Sequence, residues 1–312
     1  MDRKSRTLTR RDVLKLGLGA GAGVMLGRLP LLAQSATPIL RTIPSSGEKL
    51  PAIGLGSSRT FSVGSSAKDR GPIKEVLRLF AELGGTLLDT APTYGRSEAV
   101  AGDLAAELGL QDKIFWATKI SRAGDRQAGI KQMETSMERF RSDHIELEQV
   151  HNLGLTNTHL ATLREWKKAG RVSYLGITTS SLRQFDEVEK LLKNETLDFV
   201  QLNYSLGTRQ AEDRLLPLAQ DRGVAVLVNR PFERGRMFRA VSGQSVPEWA
   251  AEFDAVSWGQ FFLKYVLSHP AVTCPIPATS DPKHLKDNMG AMYGGLPDQK
   301  MRKRMVDFVD AL

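Results

Sequence analysis

The feature that most constrains this chain is a repeat of pattern rather than of letters. Short apolar runs begin at Thr86, Ile114, Ile145, Val172, Phe199, Val224 and Thr273, and most of these starts are 25 to 31 residues apart. Each run is followed by helical periodicity, at about 97–108, 127–140, 159–169, 182–193, 211–222, 258–268 and 282–289. Parallel strands need a crossover of a dozen residues or more, so this spacing predicts βαβ units. An earlier run at 53–56 precedes a helix expected to begin at Pro72, with Ile73, Val76, Leu77, Phe80 and Leu83 on one face and Gly84-Gly85 as its stop. Eight such units in about 240 residues predict an α/β fold, a (β/α)8 TIM barrel. Ahead of it, residues 39–43 and 50–54 flank Pro44-Ser45-Ser46-Gly47 and predict an N-terminal β-hairpin. A doubly wound open sheet competes, but no glycine fingerprint follows the first strand. No low-complexity linker divides the chain after the leader, so residues 36–312 read as one domain. The stretch 229–257 is too long for a plain connection and is expected to fold over the site.

In such a barrel the C-terminal ends of the strands face one mouth. Asp89 ends the second strand, Tyr94 follows in a loop shaped by Pro92 and Gly95, Lys119 ends the third strand and His151 the fourth. Each has an ordinary structural explanation when taken alone; four at one mouth form a set with chemical logic. A phenol titrates near about 10, so proton transfer at neutral pH needs help. Lys119 is expected to lower the Tyr94 pKa, Asp89 to keep that lysine charged, and His151 to donate a hydrogen bond to a carbonyl oxygen as negative charge builds there.

Asp89-Thr90-Ala91 with Tyr94-Gly95 and Glu98, then Thr118-Lys119, then Gln149-Val150-His151-Asn152, resembles the aldo-keto reductases over roughly residues 37–295. The resemblance implies a catalytic tetrad of Asp89, Tyr94, Lys119 and His151, reduction of a small-molecule carbonyl substrate, and a nicotinamide cofactor bound in extended form without a Rossmann domain. NADP(H) is the implied preference, with NAD(H) possible. Gly56 and Ser57 stand at the first strand end; Thr178 and Gln201 match the positions that hold the nicotinamide amide. Thr179 replaces the usual asparagine, and Asn229 stands where a stacking aromatic ring is usual, with Phe232 as a substitute ring. Arg230, next to that position, is expected in the cofactor site as well. Thr279, Asp287 and Asn288 match the segment that holds the adenosine end, although Ala278 and His284 stand where basic residues are common; Lys283 offers a positive charge from one position earlier. Phe61, Trp116 and Asn152 are expected to frame the substrate pocket. A rival of another class is a cofactor-binding interaction or sensor protein on the same scaffold with little turnover, motivated by the departures at Thr179 and Asn229.

The formal net charge of +8 invites a nucleic-acid reading, so its location matters. Residues 1–35 carry seven basic and two acidic residues, which leaves 36 against 33 in the remainder. With no basic stripe or aromatic platform there, no nucleic-acid partner is expected. The leader itself, Thr9-Arg10-Arg11-Asp12-Val13-Leu14-Lys15 followed by a glycine-rich apolar run and small residues at 33–36, resembles a twin-arginine (Tat) signal peptide. It implies the Tat export machinery as a partner and a periplasmic location, or a membrane anchor if the leader is not cleaved. Within it, Gly17-Leu18-Gly19-Ala20-Gly21-Ala22 satisfies a dinucleotide fingerprint formally but follows basic residues rather than a strand, and is discounted. The single cysteine, Cys274, excludes an intramolecular disulfide, and the five histidines show no metal-ligand spacing, so no metal is expected. No feature specifies an oligomeric state.

Overall fold

The structure is a computed structural model that describes residues 37–121 and 123–312; the signal-peptide and fingerprint readings fall on residues outside that range. The antiparallel hairpin is present as β1 (Leu40–Thr42) and β2 (Lys49–Pro51). Eight strands follow with their helices: β3 (Leu55–Gly56), α1 (Ala67–Glu82), β4 (Leu87–Asp89), α2 (Ser97–Leu108), β5 (Phe115–Ile120), α3 (Arg126–Phe140), β6 (Ile145–His151) and α4 (Thr156–Lys168). The second half continues with β7 (Val172–Thr178), α5 (Phe185–Asn194), β8 (Phe199–Asn203), α6 (Leu215–Asp221), β9 (Ala225–Asn229), α7 (Arg236–Ala240), α8 (Trp258–Leu267), β10 (Val272–Pro275), α9 (Pro282–Gly290) and α10 (Gln299–Asp310).

Strands β3 to β10 form one parallel sheet in sequence order, and its two edges meet. The Gly54 and Gly56 amides donate to the Pro275 and Pro277 carbonyls at 3.0 and 3.1 Å, and Gly56 forms a bridge with Ala278. A Cβ on Gly56 would stand 2.6 Å from the Ile276 carbonyl oxygen, so glycine is what lets the two edges close. Strand alternation separates two apolar layers. Leu87, Phe115, Leu147, Tyr174, Phe199 and Leu227 fill the barrel interior, while Leu88, Trp116, Val150, Ile177, Val200 and Val226 face the helices. Ile43 and Leu50 of the hairpin join the interior cluster, and the Tyr174 hydroxyl donates to Ser46 and Glu48. The hairpin thus plugs the end of the barrel opposite the C-terminal ends of the strands.

Three expectations are corrected. Helix α1 starts at Ala67 rather than Pro72, because Ser66 caps it by accepting the Asp69 amide, and Pro72 is carried inside the helix. Helix α10 lies beyond the last helix that the repeat predicts, at 282–289; Asp298 caps it and Met305 is buried beneath it. Of the long stretch 229–257, only the first part reaches the mouth. Trp249 in the second part packs on Phe261 and Phe308, 5.5 and 5.9 Å between ring centroids, so it braces α8 and α10 instead.

Candidate active site

Register determines which side chains meet at the mouth. Asp89 pairs with Ala117, Lys119 with Gln149, His151 with Thr178, and Thr178 with Gln201; all lie on the inward parity of their strands. Lys119 is 1% exposed, and its ammonium donates to both Asp89 carboxylate oxygens at 2.8 and 2.9 Å and to the Thr90 carbonyl at 2.6 Å. The Gln201 amide donates to the same carboxylate at 3.1 Å. The lysine therefore sits in a fully bonded cage, and the carboxylate raises its pKa and keeps it charged against the cost of burial.

Tyr94 lies above this pair, with the Lys119 nitrogen 5.2 Å from its ring centroid, and meets the His151 ring edge-on at 6.0 Å. The lysine acts in the expected direction but does not decide the outcome. Lys119 does pull the Tyr94 pKa down, but burial pushes it up more strongly and Asp89 adds to that push, so the phenol titrates above its ordinary value. At neutral pH Tyr94 holds its proton and is an acid with a cation beneath it.

A residue that sequence reading missed positions the histidine. Ser121 Oγ lies 2.5 Å from His151 Nδ1. Gln132 of α3 grips the same serine at both ends, accepting its amide at 2.5 Å and donating to its carbonyl at 3.0 Å. The signal was available: on β5 the inward parity of Ala117 and Lys119 falls next on position 121.

These groups open into a cavity of about 650 Å³. Gly56, Asp89, Tyr94, His151, Asn152, Thr178, Gln201, Asn229, Arg230 and Phe232 line it as the sequence suggests, joined by Ser58, Arg59, Thr60, Arg234 and His284, which had not been singled out as site residues. The Asn229 amide donates to the Thr179 carbonyl at 2.8 Å, and the Phe232 ring packs on Phe238 at 4.9 Å.

Several expected residues face elsewhere. Trp116 is on the outward parity of β5 and stacks on Phe140 at 4.5 Å; Phe61 is fully buried in the helix-side core. Neither frames the pocket, and Asn152 alone of the three lines it. Ser57 is fully buried at the turn, where its amide bonds the Asp89 carbonyl, so Ser58 to Thr60 take its place in the lining. Thr179, outward by alternation, bonds Gln184 and Ser181 instead. On α9 and the turn before it, Thr279 accepts the Asp281 amide, Asp287 is held by Ser257 and Gln260, Asn288 is buried, Lys283 is exposed, and His284 is the side chain that reaches the cavity.

A closed parallel barrel that sets a protonated phenol over a caged ammonium, with an oriented imidazole alongside, is an acid–base device for a small molecule. The chain belongs to the aldo/keto reductase family, whose model matches residues 52–305. Among its relatives, a methylglyoxal reductase of Escherichia coli is 29% identical over 260 residues, covering 81% of this chain and 89% of the relative. An NADH-specific methylglyoxal reductase of the same organism is 26% identical, covering 64% and 68%. The fold matches a Klebsiella pneumoniae aldo-keto reductase solved with NADPH at a TM-score of 0.73 and 21% identity, covering 87% and 95%. A Bacillus halodurans aldo-keto reductase in its holo form matches at 0.71 and 23%, covering 88% and 96%.

Proposed function

We propose that this protein reduces an aldehyde or ketone carbonyl of a small substrate with NADPH, NADH being the second choice. The observation that carries this reading is the stack of Asp89, Lys119 and Tyr94 beside His151, which leaves a protonated phenol and an oriented imidazole at one end of a cavity. Residues at the cavity wall suit a nicotinamide. The Gln201 and Asn229 side-chain oxygens are buried acceptors without hydrogen-bond partners, and a carboxamide N–H₂ is the group that would satisfy them. Gln201, Asn229 and Thr178 are the residues we assign to hold it, with Gly56 allowing close approach. When bound, the reduced cofactor supplies a hydride to the carbonyl carbon.

The chain's own residues manage the proton. Tyr94 donates from its hydroxyl to the carbonyl oxygen; Lys119 stabilises the phenolate left behind, and Asp89 fixes Lys119. His151 polarises the carbonyl from the side. The NADPH-bound relative supports NADPH, the NADH-specific one keeps NADH as the alternative, and the relatives named for methylglyoxal support a small carbonyl substrate. A cofactor-binding protein without turnover has less support, since a caged lysine beneath a phenol has no use in binding alone.

Tyr94→Phe tests the assignment. Carbonyl reduction should fall by a factor of about 10² to 10⁴, the range for a positioned acid, while NADPH binding followed by fluorescence is retained. Because the phenol is raised, the wild-type rate of reduction should hold flat through neutral pH and decline only above the ordinary tyrosine value of about 10. Full activity of the variant would remove Tyr94 from the proton step.

We further propose that residues 1–35 direct twin-arginine export to the periplasm. The arginine pair, the weakly apolar glycine-rich run and a single buried cysteine, which leaves folding independent of redox compartment, support this. Replacing Arg10 and Arg11 by lysine should hold the protein in the cytoplasmic fraction; unchanged fractionation of that variant would refute the route.

A further inference from the structure

Arg59, Arg230 and Arg234 all line the cavity, and among the described residues Asp89 is the only carboxylate in its lining. Asp89 is already matched by Lys119. Glu233, the nearest acid in sequence, is committed to Arg236, Ser205 and Thr208. Among the described residues none of the three guanidinium groups has a hydrogen-bond or ion-pair partner. The cavity therefore holds about three uncompensated positive charges.

Their backbones are unusual as well. Arg59, Arg230 and Arg234 have φ of 67°, 52° and 56°, in the left-handed region. That region is unfavourable for a non-glycine residue and is retained where surroundings or function demand it. Of the nine non-glycine residues with positive φ among the described residues, Asn152 and these three arginines line this cavity.

The three are not equivalent. Arg59 and Arg234 are exposed at the rim, whereas Arg230 is half-buried at the end of β9. Burial first, then the repulsion of Arg234 and Arg59, lowers the Arg230 pKa. The inner arginine and Tyr94, the proton donor, line the same cavity. A planar guanidinium is suited to a carboxylate, which it binds through two parallel hydrogen bonds.

We propose that the cavity takes a carbonyl substrate that also carries a carboxylate, and that Arg230 pairs with that carboxylate. The inference rests on the reductase reading for the carbonyl half. The carboxylate is a handle: no bond to it forms or breaks. A phosphate of the dinucleotide is the other anion that this guanidinium would accept, and the exposed Arg59 and Arg234 are better placed at the rim for such a group.

Two measurements decide it. In the first, the protein with NADP⁺ present is titrated calorimetrically with succinamate and with neutral succinamide. Succinamate should bind about tenfold or more tightly than the diamide, on the scale of a charge-assisted hydrogen bond. Arg230→Gln should abolish that preference and Arg230→Lys recover part of it. Equal affinity for the two compounds, or a preference that survives in Arg230→Gln, would overturn the proposal. In the second, kcat/KM is compared for 4-oxobutanoate and its methyl ester, and the acid-to-ester ratio should fall about tenfold or more in Arg230→Gln. If that ratio is unchanged while tryptophan quenching shows weakened NADPH binding, Arg230 serves the cofactor and the proposal is wrong. If the wild type turns over neither compound, the reductase reading fails for this pair, and the titration alone still decides the anion site.

Discussion

At the scale of single residues, the site depends on side chains whose only task is to hold another in place. Ser121 is the clearest of these. Its hydroxyl sits 2.5 Å from His151 Nδ1, and its backbone is locked by Gln132. For His151 to donate from Nε2, the Nδ1 atom must accept, and a serine hydroxyl that donates there selects that tautomer. Ser121→Ala should then lower kcat by about tenfold or more, in line with the loss of other orienting partners of catalytic imidazoles, with less change in KM. Ser121→Thr, which keeps a hydroxyl at this position, should restore kcat, which a loss of packing alone would not require. An alanine variant with wild-type kcat would show that the hydroxyl orients nothing of consequence.

Among the elements, what the sequence reveals follows from how local the cause is. The parallel strands and most of their helices were readable because period and spacing are set by each segment's own residues; helix 97–108 is found at its expected bounds as α2. The start of α1 was missed although Ser66 and Asp69 form a capping pair, because Pro72 was read as a first-turn residue. Helix α10 was missed because it lies outside the repeat and is fixed by partners far away in sequence. Arg302 donates to Glu212, which also accepts from Tyr204 and Tyr265. The gathering of Asp89, Tyr94, Lys119 and His151 was legible because strand ends share one mouth. Trp116 and Thr179 were misassigned for the complementary reason: a shift of one position along a strand turns a side chain from the mouth to the helix layer. Arg234 escaped notice because its place depends on how the loop after β9 bends, which no periodicity reports.

The molecule as a whole carries one charge problem that the active site does not explain. Glu98 is buried and fully used: Thr118 and Ser136 donate to one oxygen at 2.6 and 2.9 Å, and Arg139 to the other at 2.7 Å. Glu148 is also buried, on the outward parity of β6, and neither of its oxygens has a hydrogen-bond partner. Burial first, and the negative charge of Glu98 second, push its pKa well above the ordinary glutamate range. In the unfolded chain the same group titrates near about 4.3. Because the folded value is the higher one, its favourable contribution is complete below that pH and is lost as pH rises toward the folded value. Over that interval folding takes up a proton, at a cost of about 1.4 kcal/mol per pH unit. Glu148→Gln keeps the shape, removes the titration and offers an amide that can donate toward Glu98. Denaturant unfolding of both proteins from about pH 5 upward should therefore give curves that diverge, with the wild type losing stability relative to the glutamine variant as pH rises. Parallel curves across that range would mean that Glu148 ionises in the folded barrel as readily as in the unfolded chain.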